Sequence, residues 1–237
     1  MGAEISKFVV VAMARTGTNA LISALRQHPK CYTDFELFHD KQIPGPLGEK
    51  FSLEERDQDP HGFLDEAVAE ALHRKPAMHS YGFKIFFEHN DALLSELITD
   101  PAWPVVLLRR ENTLDQFLSL CIAVDTNVWN SKGGNAKAKI LFKEKDFLFF
   151  KNRVDGFYAD VERQLAAAAQ PFWRFGYRDI TEGNYGPLCE FLGLEEPHNL
   201  APMLKKQNPV GTADKVENPD EVCHVLAKLG LTHLWVD

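Results

Sequence analysis

The sequence has few cysteines, no long apolar run and no excess of positive charge, and each absence excludes a class of protein. Four cysteines occur in 237 residues, too far apart for a zinc knuckle or a redox pair: Cys31, Cys121, Cys189 and Cys223. We therefore expect free thiols, no metal and a cytoplasmic location. No segment approaches the roughly 18 consecutive apolar residues of a membrane helix, so we expect no stable membrane insertion.

The charge balance is acidic. The chain has 26 lysines and arginines against 34 aspartates and glutamates, a formal net charge of −8. Proteins dedicated to nucleic-acid binding are usually basic, so we expect no nucleic-acid partner. With 45% apolar residues, the composition is typical of a soluble globular protein that folds without a structural metal or disulfide.

Short apolar segments alternate with amphipathic ones along the chain. The apolar segments, which predict strands, are residues 5–14, 81–87, 103–108 and 172–177. The amphipathic segments, which predict helices, are residues 18–27, 64–72, 92–98, 112–124, 147–169, 185–192 and 221–229. This alternation predicts an α/β fold with a central, mainly parallel sheet flanked by helices on both faces. We see no repeat or clear linker, so we expect a single domain over residues 1–237.

Two segments interrupt the alternation. Residues 40–62 are rich in proline and glycine and predict a long irregular insertion, and residues 125–150 include a second loop. Because long loops often form binding sites, we expect both segments to frame the pocket of an acceptor substrate. Aromatic side chains are available there to stack on an acceptor: Phe38, Phe51, Phe86, Phe87 and Trp129.

The first predicted strand ends in a short polar loop that leads directly into a helix, with the sequence Arg15-Thr16-Gly17-Thr18-Asn19. Gly17 allows backbone amides to approach a ligand closely, and a helix N-terminus favours an anion. The hydroxyls of Thr16 and Thr18 and the guanidinium of Arg15 add donors. These features predict a phosphate or sulfate site, although an ordinary turn with a surface arginine is the alternative. The loop lacks the Walker A pattern, which disfavours a nucleoside triphosphate.

Residues 9–21 resemble the 5′-phosphosulfate-binding loop of sulfotransferases that use 3′-phosphoadenosine-5′-phosphosulfate (PAPS), and most closely the bacterial nodulation-factor and glycolipid branch. The cytosolic branch usually has lysine where Arg15 stands. The resemblance implies a P-loop-like fold in which Thr16, Gly17, Thr18 and Asn19 wrap the 5′-phosphate. It also implies that Arg15 lies beside the transferring sulfuryl group.

A second motif follows the predicted strand at residues 103–108. Arg109 and Arg110 end this strand, and Ser119 lies on the next predicted helix. Family members bind the 3′-phosphate of the donor with an arginine and a serine placed in this way, which implies that role for Arg110 and Ser119. The alternative is a pair of surface arginines at the rim of the sheet.

Three weaker matches extend the resemblance along the chain. Tyr177 stands where a family tyrosine faces the adenine of the donor. Lys205 falls in the position of a basic C-terminal loop that covers the nucleotide. Lys84, on the strand at residues 81–87, resembles a position on the acceptor side, and it could instead be a strand-end lysine that extends its amine to solvent.

The candidate general base is Glu36, which lies between the apolar side chains of Phe35 and Leu37. Bacterial glycan sulfotransferases have a catalytic glutamate at a similar distance from the loop. We expect burial to raise the pKa of Glu36 towards the range useful for a base. His39 is the alternative base, because the cytosolic branch uses histidine. If Glu36 is the base, we expect His39 and Lys84 to bind the acceptor. A rim or capping carboxylate is the alternative for Glu36.

The sequence thus predicts an enzyme that transfers a sulfuryl group from PAPS to a hydroxyl of a carbohydrate or glycolipid and leaves 3′,5′-adenosine bisphosphate (PAP). Two other functions stay open: a P-loop-like phosphotransferase, which would normally require magnesium and a Walker lysine, and a nucleotide-binding regulator without activity. The expected partner is a small-molecule, glycan or glycolipid acceptor, and a homo-oligomer is possible.

Overall fold

The computed structural model describes residues 5–129, 138–195, 200–201 and 211–236. In this part of the chain, five parallel strands form one sheet in the order β2-β3-β1-β4-β5. They are β1 (Ser6–Ala12), β2 (Cys31–Glu36), β3 (Ser80–Phe86), β4 (Val105–Arg109) and β5 (Phe172–Gly176). The predicted α/β fold, a parallel sheet flanked by helices, is confirmed.

Ten α-helices alternate with these strands or follow them along the described residues. They are α1 (Thr18–Leu25), α2 (Leu47–Lys50), α3 (Leu53–Gln58), α4 (Pro60–Arg74), α5 (Asp91–Thr99), α6 (Thr113–Thr126), α7 (Glu144–Ala167), α8 (Tyr177–Glu182), α9 (Gly186–Phe191) and α10 (Pro219–Lys228). Within the described residues, no helix combines the length and apolar character that crossing a membrane requires. All four cysteines are free thiols.

The inner strands are covered on both faces. Successive side chains of a strand point to opposite faces, and Val9, Val10 and Val11 of β1 are all fully buried. Every residue of β3 is buried as well. Because all five strands are parallel, their carboxyl ends meet at one edge, which is where ligands bind in open α/β sheets.

The chain divides into two compact units. The first contains Met1–Arg109 and Val161–Met203, and the second contains Arg110–Asp160 and Leu204–Asp237. The sheet belongs to the first unit, where Phe8, Val10 and Leu21 are part of the apolar core. The second unit has a core of its own that includes Leu114, Phe117 and Phe147. The single domain over residues 1–237 stays a prediction.

The structure corrects the expectation of an irregular insertion at residues 40–62, because much of this segment is helical. Ser52 and Glu55 form a capping box at the start of α3, in which each side chain satisfies a backbone N–H of the other residue. Asp59 caps α4 by accepting the N–H of Gly62 at 3.0 Å, and Pro60 occupies the first position of that helix. Pro46 and Pro60 here mark the starts of α2 and α4.

The second strand, β2, was not predicted from the sequence. It is short, it lies at the edge of the sheet, and its sequence includes Thr33, Asp34 and Glu36. An edge strand need not be apolar throughout, so a search for apolar runs overlooks it.

Candidate active site

The loop between β1 and α1 turns through two residues with left-handed backbones before the helix begins. Arg15 and Gly17 both have left-handed backbones, with φ of 66° and 90°. Gly17 is the N-cap of α1, and its carbonyl accepts the N–H groups of Ala20 and Leu21 at 2.9 and 3.1 Å. The first turn of α1 contains no acidic residue, so the positive end of the helix dipole is not offset by a carboxylate of its own turn.

Tyr177 packs against this loop. A Cβ atom placed on Gly17 would lie 2.8 Å from Cδ2 and 2.9 Å from Cε2 of Tyr177, and 3.1 Å from Cδ1 of Ile180. Only glycine therefore fits this position, for reasons of space as well as backbone conformation. The structure thus brings together two predicted site residues that are 160 positions apart in the chain.

Thr16 plays a different part from the one its hydroxyl suggested. Its side chain is fully buried, and Oγ1 donates to the carbonyl of Met13 at 2.9 Å. This hydrogen bond closes the turn. The hydroxyl proton of Thr16 is thus donated within the protein, and the side chain stabilises the shape of the loop.

Lys84 joins the loop to the candidate base. Its ammonium donates to Oδ1 of Asn19 and lies 3.4 Å from Oγ1 of Thr18. The same ammonium is 2.5 Å from Oε1 of Glu36. The side chain is 1% exposed, which excludes the alternative of a strand-end lysine that extends to solvent. Burial lowers the pKa of Lys84, although the Glu36 carboxylate opposes this effect, and the charge of Arg15 lowers the pKa further.

The charge environment of Glu36 corrects one expectation. Burial raises the pKa of its carboxyl, as predicted, but the charge and hydrogen bond of Lys84 oppose this, with smaller contributions from His89 and His39. The net result is a pKa below the ordinary value, because an adjacent cation favours the carboxylate. Glu36 is therefore ionised at neutral pH.

Two histidines lie beside this ion pair, and only one of them was predicted. The rings of His39 and His89 are 5.8 Å apart between centroids. Nδ1 of His89 accepts the N–H of Phe86 at 3.2 Å, and burial lowers the pKa of His89 to about 4. His89 follows the carboxyl end of β3, at the edge where ligands bind, and that position is the signal that would have identified it.

Arg56 of α3 holds the segment that follows Glu36. Its guanidinium is buried and donates to the carbonyl oxygens of Leu37 and His39 at 3.1 and 2.8 Å. It also pairs with Asp57 at 2.7 Å and lies 5.5 Å from the ring of Phe38. The segment at residues 40–62, through Arg56 of α3, therefore supports the chain between Glu36 and His39.

The expected aromatic surface for an acceptor is smaller than predicted. Phe38 is fully buried and packs between Phe63 and Phe83, with centroids 5.7 and 5.9 Å away. Phe86 is 9% exposed and lies under the ammonium of Lys84 at 5.0 Å. Phe38 thus belongs to the core and is not available to stack on an acceptor, whereas Trp129 is 48% exposed.

Arg110 and Ser119 belong to the second unit. Arg110 is 6% exposed and pairs with Asp115, which also pairs with Lys215. Ser119 is half-buried on α6. Arg109, by contrast, is an exposed residue at the end of β4. Lys205 lies outside the described residues. Lys215 was not predicted as a site residue. It lies 100 positions from Asp115 in the chain, so no local sequence pattern links the two residues.

No known protein-family model matches this chain. Nodulation protein H of Rhizobium meliloti strain 1021 is 29% identical over 125 residues, which are 52% of this chain and 49% of that protein. A second nodulation protein H from Rhizobium meliloti is 29% identical over 126 residues, with the same shares. The chain thus spans about half the length of these relatives.

A solved structure extends the similarity to nearly the whole chain. The crystal structure of a sulfotransferase from Alicyclobacillus acidocaldarius covers 98% of this chain and 97% of its own, with a TM-score of 0.53 and 16% identity. This likeness shows a shared fold. Together with the nodulation proteins, it confirms the resemblance to a bacterial sulfotransferase-like family that the sequence predicted.

Proposed function

We propose that this protein is a PAPS-dependent sulfotransferase that sulfates a hydroxyl of a carbohydrate or glycolipid. One observation carries the proposal: the ammonium of Lys84 contacts Asn19, in the loop at residues 15–19 that is the predicted anion site, and also contacts the carboxylate of Glu36. Sulfuryl transfer requires charge stabilisation and a base for the attacking hydroxyl at the same place. The first unit supplies both.

The loop suits the 5′ end of the donor. Backbone N–H groups from Gly17 to Asn19, at the start of α1, would hold the 5′-phosphate, and Arg15 would lie by the sulfuryl oxygens. Tyr177, packed on Gly17, would contact the adenine. When bound, PAPS supplies the sulfuryl group that is transferred. The assignment of the 3′-phosphate to Arg110 and Ser119, and of Lys205 to the nucleotide, stays a prediction.

Glu36 would act as the general base. Its carboxylate is already ionised and accepts the proton of the acceptor hydroxyl as the new sulfur–oxygen bond forms. The bond between sulfur and the bridging phosphate oxygen breaks, so that PAP and a sulfate ester are the products. Lys84 remains beside the reacting groups as a fixed cation, which is worth more in a buried site than in water. His39 would contact the acceptor or replace Glu36 as the base.

The activity is tested with purified protein, PAPS and a panel of carbohydrate and glycolipid acceptors. Mass spectrometry should detect PAP together with an acceptor that has gained one sulfuryl group. Glu36→Gln should lower kcat by about 10²–10⁴-fold while the affinity for PAP, measured by isothermal titration calorimetry, changes less than about twofold. Glu88→Gln, at an exposed carboxylate beyond β3, is the matched control and should retain activity.

The alternatives give different results in the same experiment. A phosphotransferase would consume magnesium–ATP and would not bind PAP. A nucleotide-binding regulator would bind PAP and produce no sulfate ester with any acceptor. Failure of the wild-type protein to bind PAP at all would overturn the proposed donor.

A further inference from the structure

A guanidinium from the first helix lies against a bulge in β2. Asp34 and Glu36 pair with consecutive residues of β3, so Phe35 is an extra residue in the strand. Arg26, the C-cap of α1, reaches this bulge. Its Nε donates to the carbonyl of Thr33 at 2.8 Å, and its Nη2 donates to the same carbonyl and to Oδ1 of Asp34, the latter at 3.3 Å. The guanidinium carbon lies 5.2 Å from the centre of the Phe35 ring.

These contacts belong to the bulged strand. In a regular strand, the side chains of Asp34 and Phe35 would point to opposite faces of the sheet. Here one guanidinium contacts both of them. Because a change of register by one residue moves side chains to the other face, the contacts of Arg26 favour the register in which Glu36 stands opposite Lys84.

The other side of the bulge is held by β3. The hydroxyl of Tyr81, which is fully buried, donates to Oδ2 of Asp34 at 2.9 Å. The ammonium of Lys84 lies 5.7 Å from the centre of the Phe35 ring. The bulge is therefore fixed between Arg26 on one side and two residues of β3 on the other.

Arginine suits this position because of its shape. A planar guanidinium with five N–H donors can bind a carbonyl and a carboxylate and contact a ring at the same time, whereas an ammonium acts as a point charge. The ion pair of Arg26 with Asp34 is partly exposed, and such pairs contribute little to stability. The value of Arg26 thus lies in the geometry that it imposes.

We propose that Arg26 is a positioning residue, which holds the bulge of β2 so that Glu36 faces the ammonium of Lys84. The proposal rests on the proposed function, under which Glu36 is the general base. It also gives α1 two parts in the site. The helix begins at Gly17, in the loop at residues 15–19 that is the predicted anion site, and it ends at the residue that fixes the strand of the base.

The first test measures the pKa of Glu36 directly and needs no acceptor. Carbon-13 NMR of protein labelled at the glutamate carboxyl carbons reports it, and Glu36→Gln assigns the signal. The cations that favour the Glu36 carboxylate are Lys84, His89 and His39, so a change caused by Arg26→Met would arise from displacement. We expect Arg26→Met to raise the pKa of Glu36, because its carboxylate moves away from Lys84.

The second test is kinetic and uses the acceptor that the wild type sulfates in the panel of carbohydrates and glycolipids. Arg26→Met should lower kcat by about tenfold to a hundredfold, since a base displaced by about 1 Å loses its alignment. The affinity for PAP should change less than about twofold. Arg26→Lys separates charge from geometry: it keeps the charge without the planar fork, and it should raise the pKa of Glu36 as Arg26→Met does.

Arg74→Met is the matched control. Burial raises the pKa of Asp34, and the charges of Arg26 and Arg74 both oppose this effect, so the control also removes a cation near the bulge. Arg74 pairs with Glu70 on the surface of α4, and its variant should keep the wild-type kcat and the wild-type pKa of Glu36.

The outcomes separate the two proposals. A wild-type protein that sulfates no acceptor would overturn the proposed function, while the pKa would still show whether Arg26 positions Glu36. An active wild type with either an unchanged pKa of Glu36 or a wild-type kcat in Arg26→Met would overturn the role of Arg26 alone. Circular dichroism establishes folding, and if Arg26→Met does not fold, Arg26→Lys decides by the same two criteria.

Discussion

Glu36 stands opposite Lys84 in the sheet because β2 contains one extra residue. Asp34 pairs with Phe83 and Glu36 pairs with Lys84, so the register shifts across Phe35. In a regular strand, Phe35 would face Lys84, and Glu36 would stand opposite Ile85 with its side chain on the other face of the sheet. Bulges of this kind often redirect a side chain beside an active site. The bulge therefore creates the ion pair between Glu36, the candidate base, and Lys84, which also contacts Asn19 in the loop between β1 and α1.

Lys84→Met should raise the pKa of Glu36, because the ammonium is the largest influence that favours its carboxylate. A base with a higher pKa is protonated at a higher pH, so the acidic limb of the kcat/KM profile should move to higher pH. The pH dependence of turnover measures this shift. Lys84→Arg keeps the charge and should restore most of the wild-type profile, whereas an unchanged limb in Lys84→Met would show that Lys84 does not control the base.

Gly17→Ala should weaken PAP binding and destabilise the protein by about 1–3 kcal/mol, because the new Cβ meets Tyr177 and the backbone is left-handed. Gly45→Ala is the matched control. Gly45 has a φ of 73° but nothing within 4 Å of a new Cβ, so it isolates the backbone strain from the steric clash. Urea unfolding and calorimetry with PAP measure both effects. Equal losses in the two variants would show that the contact with Tyr177 has no consequence.

Arg56→Met should destabilise the protein by about 2–4 kcal/mol, since it leaves the carbonyl oxygens of Leu37 and His39 without their donor. The segment after Glu36 should also lose its position, so kcat should fall more than the affinity for PAP. Chemical denaturation and steady-state kinetics measure the two effects. Arg178→Met removes an exposed ion pair with Glu182 and should change stability by less than about 1 kcal/mol. A variant of Arg56 with wild-type kcat would exclude its positioning role.

The sequence predicts the fold more completely than it predicts the site. Four strands follow from apolar runs that end at polar residues, and the structure confirms them. The anion-binding role of the loop after the first strand stays a prediction. The contact between Glu36 and Lys84 could not be predicted, because it depends on a register shift in a polar edge strand that the apolar pattern does not mark. Likewise, Arg56 and Lys215 reach their partners only through tertiary structure, and an isolated cation in a sequence resembles any surface charge.

His89 should make the stability of the protein sensitive to acid. Burial lowers its pKa to about 4 in the folded state, against about 6.5 when unfolded, so the unfolded chain binds a proton more readily. The resulting contribution to stability is complete above about pH 6.5 and is lost as the pH falls towards 4. His89→Gln should therefore lose less stability than the wild type between pH 7 and pH 5, as measured by thermal unfolding. His61→Gln, at an exposed histidine paired with Glu96, should follow the wild-type curve, and a His89 variant that does the same would show that this histidine is not the acid-sensitive group.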